Sequence, residues 1–210
     1  MSIVTKSAQA RPPRVRRTAE DARENILSSA ERLLVATGPQ ALKLVDVAAE
    51  AGIAQATVLH HFGSIGGVQA ALMERMVRQL VDQILESGAL DSDLAGRAQT
   101  GARTLFDAFE SRGAARLAAW LELTGESRRL TMVREAVGKV VASRMAREGV
   151  APDAAEDFIL ISVVLAMGVG LFGPSLAELM GKAPGRTREL AIELLLGRVA
   201  AITGQAPGQA

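Results

Sequence analysis

His60 and His61 are the only imidazoles in the chain, and no cysteine accompanies them. Adjacent on a helix, they point about 100° apart, so they cannot close on one metal ion from that helix alone. No metal site and no cofactor are expected. The lack of cysteine also removes disulfides, thiolate zinc sites and a cysteine nucleophile. Any catalysis would have to use carboxylates or lysines scattered over solvated faces, so no enzyme and no catalytic residue are expected. The histidines do stand beside Gln55, Ala56 and Thr57. Gln55 can bond both N6 and N7 of adenine, Ala56 can touch a thymine methyl, and Thr57, His60 and His61 can reach phosphates or base edges. The chemistry on offer is recognition rather than bond making.

A second arrangement with chemical potential is Gly168-Val169-Gly170-Leu171-Phe172-Gly173, which spells the G-x-G-x-x-G of a dinucleotide-binding turn after an apolar run. Such a turn needs further parallel strands and a helix directly after the glycines. Pro174 follows instead, and no other stretch reads as a strand. The better account is close helix packing, with Pro174 kinking or interrupting the helix.

The elements that must hold the recognition residues can be read from apolar spacing. A first helix is expected from Thr18, capping the amide of Asp21, with Ile26, Ala30, Leu33 and Leu34 on one face. It should end near Gly38-Pro39. Leu44, Val47, Ala48 and Ala51 recur at helical spacing up to Gly52, whose place suits a sharp turn with positive φ. A third helix is expected over Gln55 to Phe62, broken by Gly63, Gly66 and Gly67. Ala48 is small enough to let two helices cross, while Ile53, Val58 and Phe62 seat the third helix on the second. That is the layout of a helix-turn-helix with an outward face of small and polar residues. The same spacing also suits a plain helical hairpin with a solvated face.

Longer helices follow, at about Val68 to Glu86, Asp93 to Ser111, Ala114 to Leu123, Arg128 to Glu148, Asp153 to Gly181 and Arg186 to Thr203. Phe158 to Ala177 carries no charged residue over twenty positions, enough to span a bilayer of ~30 Å. Its glycines, Pro174 and the lack of Trp, Tyr or Lys/Arg belts at its ends argue against a membrane. A helix apolar all round is otherwise a buried one. A homodimer through about 153–181 and 186–203 would bury it, with Ile192, Leu195, Leu196 and Val199 as the matching stripe. Core within one subunit is the plainer alternative. Phe106, Phe109, Trp120, Met132, Met145 and Met167 fall on segments that line the interior of the larger domain, most simply as core. In a small-molecule cavity they would form an adaptable apolar wall, with Arg103 or Glu122 as a polar contact.

Composition agrees with an all-α chain. Of 210 residues, 49% are hydrophobic and 22% charged, with no tyrosine and five phenylalanines, so helix formers dominate. The formal charge is only +1, so any affinity for nucleic acid must come from local placement. The first seventeen residues lack an apolar stretch of signal-peptide length and carry only basic charges, Lys6, Arg11, Arg14, Arg16 and Arg17. A mobile basic arm and a cytoplasmic protein are expected.

Read together, A-x-x-A-G-I-x-x-x-T-V-x-H-H-F-G-S from Ala48 to Ser64 closely resembles the DNA-binding signature of the TetR/AcrR family. The likeness covers about Thr18 to Met76, and the later helices agree in number and length. It implies an N-terminal three-helix domain with a helix-turn-helix (18–67) after the arm (1–17). A larger helical ligand-binding and dimerisation domain (68–204) and a short tail (205–210) would follow. It further implies a homodimer that reads an operator in double-stranded DNA with the helix Gln55 to Phe62, usually as a repressor. A small-molecule effector in the larger domain would release it, with the helix Val68 to Glu86 transmitting the shift. The chain departs from the family at Lys43 and Ala54, where Ser or Thr usually caps the second and third helices. It departs again at Leu59, the usual place of a phosphate-contacting Tyr, and at Ile65 and Gly66, the usual places of Lys and an acidic residue. A missing cap costs ~1 kcal/mol, and lost phosphate contacts weaken affinity. The DNA-contacting set is therefore expected to be Ala54, Gln55, Ala56, Thr57, Leu59, His60 and His61. Lys43, Arg14, Arg16 and Arg17 would compensate from the second helix and the arm.

Overall fold

The computed structural model describes residues 19–90, 94–130, 133–148 and 151–202. The expected cap Thr18, the arm residues Arg14, Arg16 and Arg17, Met132 and the tail 205–210 lie outside the described residues. Among those described, the chain is all-α, with no strand. In order the helices are α1 (Ala19–Thr37), α2 (Leu44–Ala51), α3 (Gln55–Phe62), α4 (Ile65–Leu90), α5 (Leu94–Glu110), α6 (Ala114–Leu123), α7 (Val133–Glu148), α8 (Pro152–Leu179) and α9 (Arg186–Ile202). Single 3₁₀ turns at Pro39–Ala41 and Glu126–Arg129 fill two of the connections. The second replaces the helical start expected near Arg128.

Two hydrophobic clusters organise these helices. In the first, Ile26, Leu27, Ala30 and Leu34 of α1 meet Val47, Ala48 and Ala51 of α2 and Val58 of α3. Val68, Leu72, Met73 and Met76 of α4 and Leu117 and Leu121 of α6 complete it. In the second, Leu80 of α4 joins Leu105 and Phe106 of α5, Ala166 and Val169 of α8, and Ala191 and Leu195 of α9. The helix α4 thus contributes its first half to one core and its second half to the other. Arg75, buried in the middle of α4, pins it to α1: its guanidinium pairs with Glu24 and Glu31 and donates to the carbonyl of Leu27 at 3.0 Å. Arg112, between α5 and α6, donates to the same Glu31 at 2.7 Å.

The helix α8 is two-faced. Ala155, Ser162, Ala166, Val169, Gly173 and Ala177 are buried at helical spacing, so small residues face inward. Two of its glycines allow that packing: a Cβ on Gly170 would lie 2.8 Å from the Cβ of Ala115, and one on Gly173 would lie 2.7 Å from Thr187 Oγ1. The G-x-G-x-x-G is helix packing, as its surroundings suggest. The helix continues through Pro174, which neither ends nor interrupts it.

Outward stand the large residues Leu160, Ile161, Val164, Phe172, Leu176 and Leu179, the last 82% exposed. The alternative that one subunit's core covers this helix therefore does not hold for its outer face. By length and composition α8 is also the one described helix apolar enough to cross a membrane. On α9 the structure reverses the expected stripe. Leu195 is buried and Ile192 packs against the second cluster, inside the subunit, and the outward apolar residues are Leu190 and Leu194.

Candidate DNA interface and effector cavity

The interface is built from α2, a turn and α3. Gly52 takes φ +67° and ψ 34°, a left-handed conformation open to glycine at no steric cost, and its amide and that of Ile53 bond back to Ala49 and Ala48 at 3.1 and 3.0 Å. Asn25 Nδ2 of α1 donates to the carbonyl of Ala51 at 2.8 Å, and Arg32 pairs with Glu50 at 2.7 Å, so α1 braces both the end and the outer edge of α2. Val58 is fully buried, and Ile53 and Phe62 pack against the same core. The guanidinium of Arg23 lies 4.8 Å over the Phe62 ring.

That seating turns one face of α3 outward. Ala54, Gln55, Ala56, Leu59 and His60 are exposed, and Thr57 and His61 are half-buried at its edges. The structure thus brings together seven of the expected DNA-contacting residues on one surface. The rings of His60 and His61 meet edge to face at 5.5 Å. Lys43 is exposed at the start of α2. Neither Lys43 nor Ala54 makes a side-chain cap bond; what they offer the starts of α2 and α3 is their backbone carbonyls, which accept from Val47 and Thr57 at 3.0 and 2.9 Å.

At the junction from α3 to α4 the sequence marked the glycines as breakers, but did not single out Glu126 or the cap made by Ser64. Ser64 Oγ accepts from the amide of Gly67 at 3.0 Å and caps α4. That helix begins at Ile65 rather than Val68, so Gly66 and Gly67 lie in its first turn instead of breaking the one before. Gly67 is required by packing, since a Cβ there would lie 2.0 Å from the carbonyl oxygen of Phe62. Glu126, from the turn between α6 and α7, lays its carboxylate against Gly66, where a Cβ would stand 2.9 Å from its Cδ. A carboxylate at this end of a helix is favoured by the dipole. Here it arrives from the turn Glu126–Arg129, sixty residues further along the chain.

Between α4, α5, α7, α8 and α9 lies a cavity of about 210 Å³. Val77, Leu80, Val81 and Ile84 form one wall, Ala98, Ala102, Leu105 and Phe109 a second, and Val133, Ala136, Val137 and Val140 a third. Phe158, Ile159, Ser162, Val163, Leu195 and Val199 close it. Of the expected ligand contacts, Phe109 lines this space. Phe106 is sealed in the second core, and Trp120, Met167 and Arg103 lie elsewhere, Arg103 exposed. Phe109 and Phe106 sit on one helix three residues apart, and only their neighbours decide which meets the cavity. The spacing of Val77, Leu80, Val81 and Ile84 marks an apolar face; that the face looks onto space follows from the small residues opposite it.

Residues 26–72 match the family model for bacterial regulatory proteins of the tetR family. No curated protein sequence is significantly similar to the chain. Among solved structures, a TetR-family transcriptional regulator from Streptomyces coelicolor has a TM-score of 0.62 at 17% identity, covering 86% of this chain and 99% of that one. The fatty acid degradation regulator FadR from Bacillus halodurans has 0.60 at 14%, covering 84% and 95%. The multidrug binding protein EbrR, solved with imidazole, has 0.57 at 20%, covering 90% and 91%. At these identities the likeness is one of fold. Residues 26–72 are thus similar to the tetR family of bacterial regulatory proteins, within an all-helical fold shared with these solved structures.

Proposed function

We propose that the protein is a ligand-responsive transcriptional regulator: a cytoplasmic homodimer that represses by binding operator DNA through α3 and is released by a small molecule bound in the α4–α9 cavity. The observation that carries this reading is the division of α3, with Val58 locked in the core and Gln55, Ala56, Leu59 and His60 turned to solvent. Such a helix fits a major groove, where Gln55 reads adenine and the neighbouring residues reach the backbone. Domains at 18–67 and 68–204, with the arm 1–17 reaching DNA through Arg14, Arg16 and Arg17, complete the proposal.

Two recognition helices must meet successive major grooves about 34 Å apart. The exposed apolar face of α8, with Leu190 and Leu194 of α9, supports a twofold four-helix interface that would fix that separation. A dimer covers this face without a membrane. A ligand that moves α4 or α7 would change the spacing of the recognition helices. By linkage, operator and ligand then weaken each other by the same factor, typically 5- to 150-fold.

A second reading is a small-molecule-binding dimer whose DNA affinity is weak or lost. It is favoured by Leu59, 42% exposed where a phosphate contact is usual, and by the absent caps at Lys43 and Ala54. Genomic-fragment selection followed by fluorescence anisotropy at low and moderate salt separates the two. A regulator gives sequence-selective binding that steepens as salt falls. Equal, weak affinity for all fragments would favour the second reading. Deleting residues 1–17 should weaken operator binding at moderate salt, and unchanged affinity would remove the arm from the account.

A further inference from the structure

Within the sensing reading, on which this inference rests, the cavity wall defines what it can hold. Every described side chain that lines it is aliphatic, aromatic or absent, with one exception, Ser162. Among the described residues, no carboxylate, ammonium or guanidinium faces the space, so an ion inside it would lose its hydration with nothing in return from them. Among the described residues, charges stand outside it, in a shallow cleft between α4 and α7 that borders Val77, Val81 and Ala136. There Glu74, Asp82 and Glu135 interleave with Arg78 and Lys139, and Lys139 pairs with Glu135 at 3.5 Å. Opposite signs so mixed present no field of one sign to a charged head group.

Ser162 settles the remaining polarity. Its Oγ lies 2.6 Å from the carbonyl oxygen of Phe158 one turn back. A carbonyl can only accept, so the hydroxyl proton belongs to that bond, and the capacity left to Ser162 is that of an acceptor. A ligand group meeting it must donate. The volume, about 210 Å³, exceeds the roughly 150 Å³ apolar cavity that holds benzene. We propose that the cavity takes a compact, uncharged, apolar molecule with a single hydroxyl or N–H group, which donates its hydrogen bond to Ser162 Oγ. Carboxylate-bearing lipids and organic cations are excluded.

The test uses a matched series on the full chain by titration calorimetry: 4-isopropylphenol, its methyl isostere 4-isopropyltoluene, 4-isopropylbenzoate and 4-isopropylbenzylammonium. The phenol and the toluene are expected to bind, and the two ions to bind at least about 100-fold more weakly. Ser162→Ala should weaken the phenol about fivefold, the loss of one neutral hydrogen bond, and leave the toluene within about twofold. Ala154→Phe and Ala136→Phe, which obstruct the space from α8 and from α7, should abolish binding of both neutral probes while circular dichroism shows the helices intact. A wild-type chain that binds none of the four would overturn this proposal and the sensing role of the cavity together. Binding of either ion as tight as the phenol, blocked by Ala154→Phe, would leave the sensing role standing and sink the ligand class. Equal effects of Ser162→Ala on phenol and toluene would remove the hydrogen bond to Ser162.

Discussion

Gln55 and Val58 stand three residues apart on α3, about 60° around the helix, yet Gln55 is exposed and Val58 fully buried, so what packs against each residue, rather than its spacing, decides its role. The same logic separates Phe106 from Phe109. Residue type alone does not decide such cases, as Glu110 also shows. At the end of α5 it is half-buried, with Arg188 Nη1 3.5 Å from its Oε2. Burial raises its carboxyl above the ordinary range; the attraction of Arg188 opposes this and the nearby Asp107 adds to it. A carboxyl raised in this way holds its proton more tightly in the native than in the unfolded state. Its contribution to stability is therefore complete below the ordinary carboxylate range and is lost as pH rises through the raised value. Glu110→Gln has no proton to lose. The difference in melting temperature, variant minus wild type, should grow as pH rises above the ordinary glutamate range, as differential scanning fluorimetry would reveal, and a difference independent of pH would contradict the burial argument.

Among the elements, α4 carries the connection between the two halves. Its first half packs with α1, α2 and α3, its second half lines the cavity, and Arg75 ties its middle to α1. A second route runs from the cavity wall on α7 through the turn Glu126–Arg129 to Gly66. Glycine at 66 makes room for the Glu126 carboxylate at the expense of helix propensity. Gly66→Ala and Glu126→Ala should therefore be coupled. Alone, Gly66→Ala must push the carboxylate aside and forfeits part of its gain. On the Glu126→Ala background it should recover most of the ~1 kcal/mol by which alanine exceeds glycine in a helix. Urea denaturation of the four chains should give an interaction free energy of at least about 0.5 kcal/mol, whereas strict additivity would show that the two residues do not bear on each other.

For the whole molecule, α8 leaves six large apolar side chains exposed and α9 two more, beyond the scattered single residues that soluble chains tolerate. In the proposed dimer they are interior. Leu176→Glu combined with Leu194→Glu would put charges into that interface and leave the subunit core untouched, since both residues are exposed in the monomer. Sedimentation equilibrium should return twice the 22.0 kDa chain mass for the wild type and the single mass for the variant. Operator affinity should fall about 100-fold or more with the lost bivalency. A variant that stays dimeric would place the interface elsewhere.

Much of this was open to reading in one dimension. Apolar residues three and four apart define the helices, because side chains one turn apart share a face. In the stretch from Ala48 to Ser64 a small crossing residue, a glycine fit for a left-handed turn and an apolar anchor read as two crossed helices, and the likeness to the TetR/AcrR signature chose the helix-turn-helix over a plain hairpin. The all-α class and the helical nature of the glycine-rich run in α8 follow from the same local signals. Four features lay beyond that reach: the start of α4 at Ile65, the inward turn of Leu195, the place of Phe109 rather than Phe106 at the cavity, and the approach of Glu126 to Gly66. Each depends on what residues far along the chain place opposite a given face. Spacing states that a face is apolar, but whether a core, a cavity or a second subunit meets it is decided only when helices distant in sequence pack together.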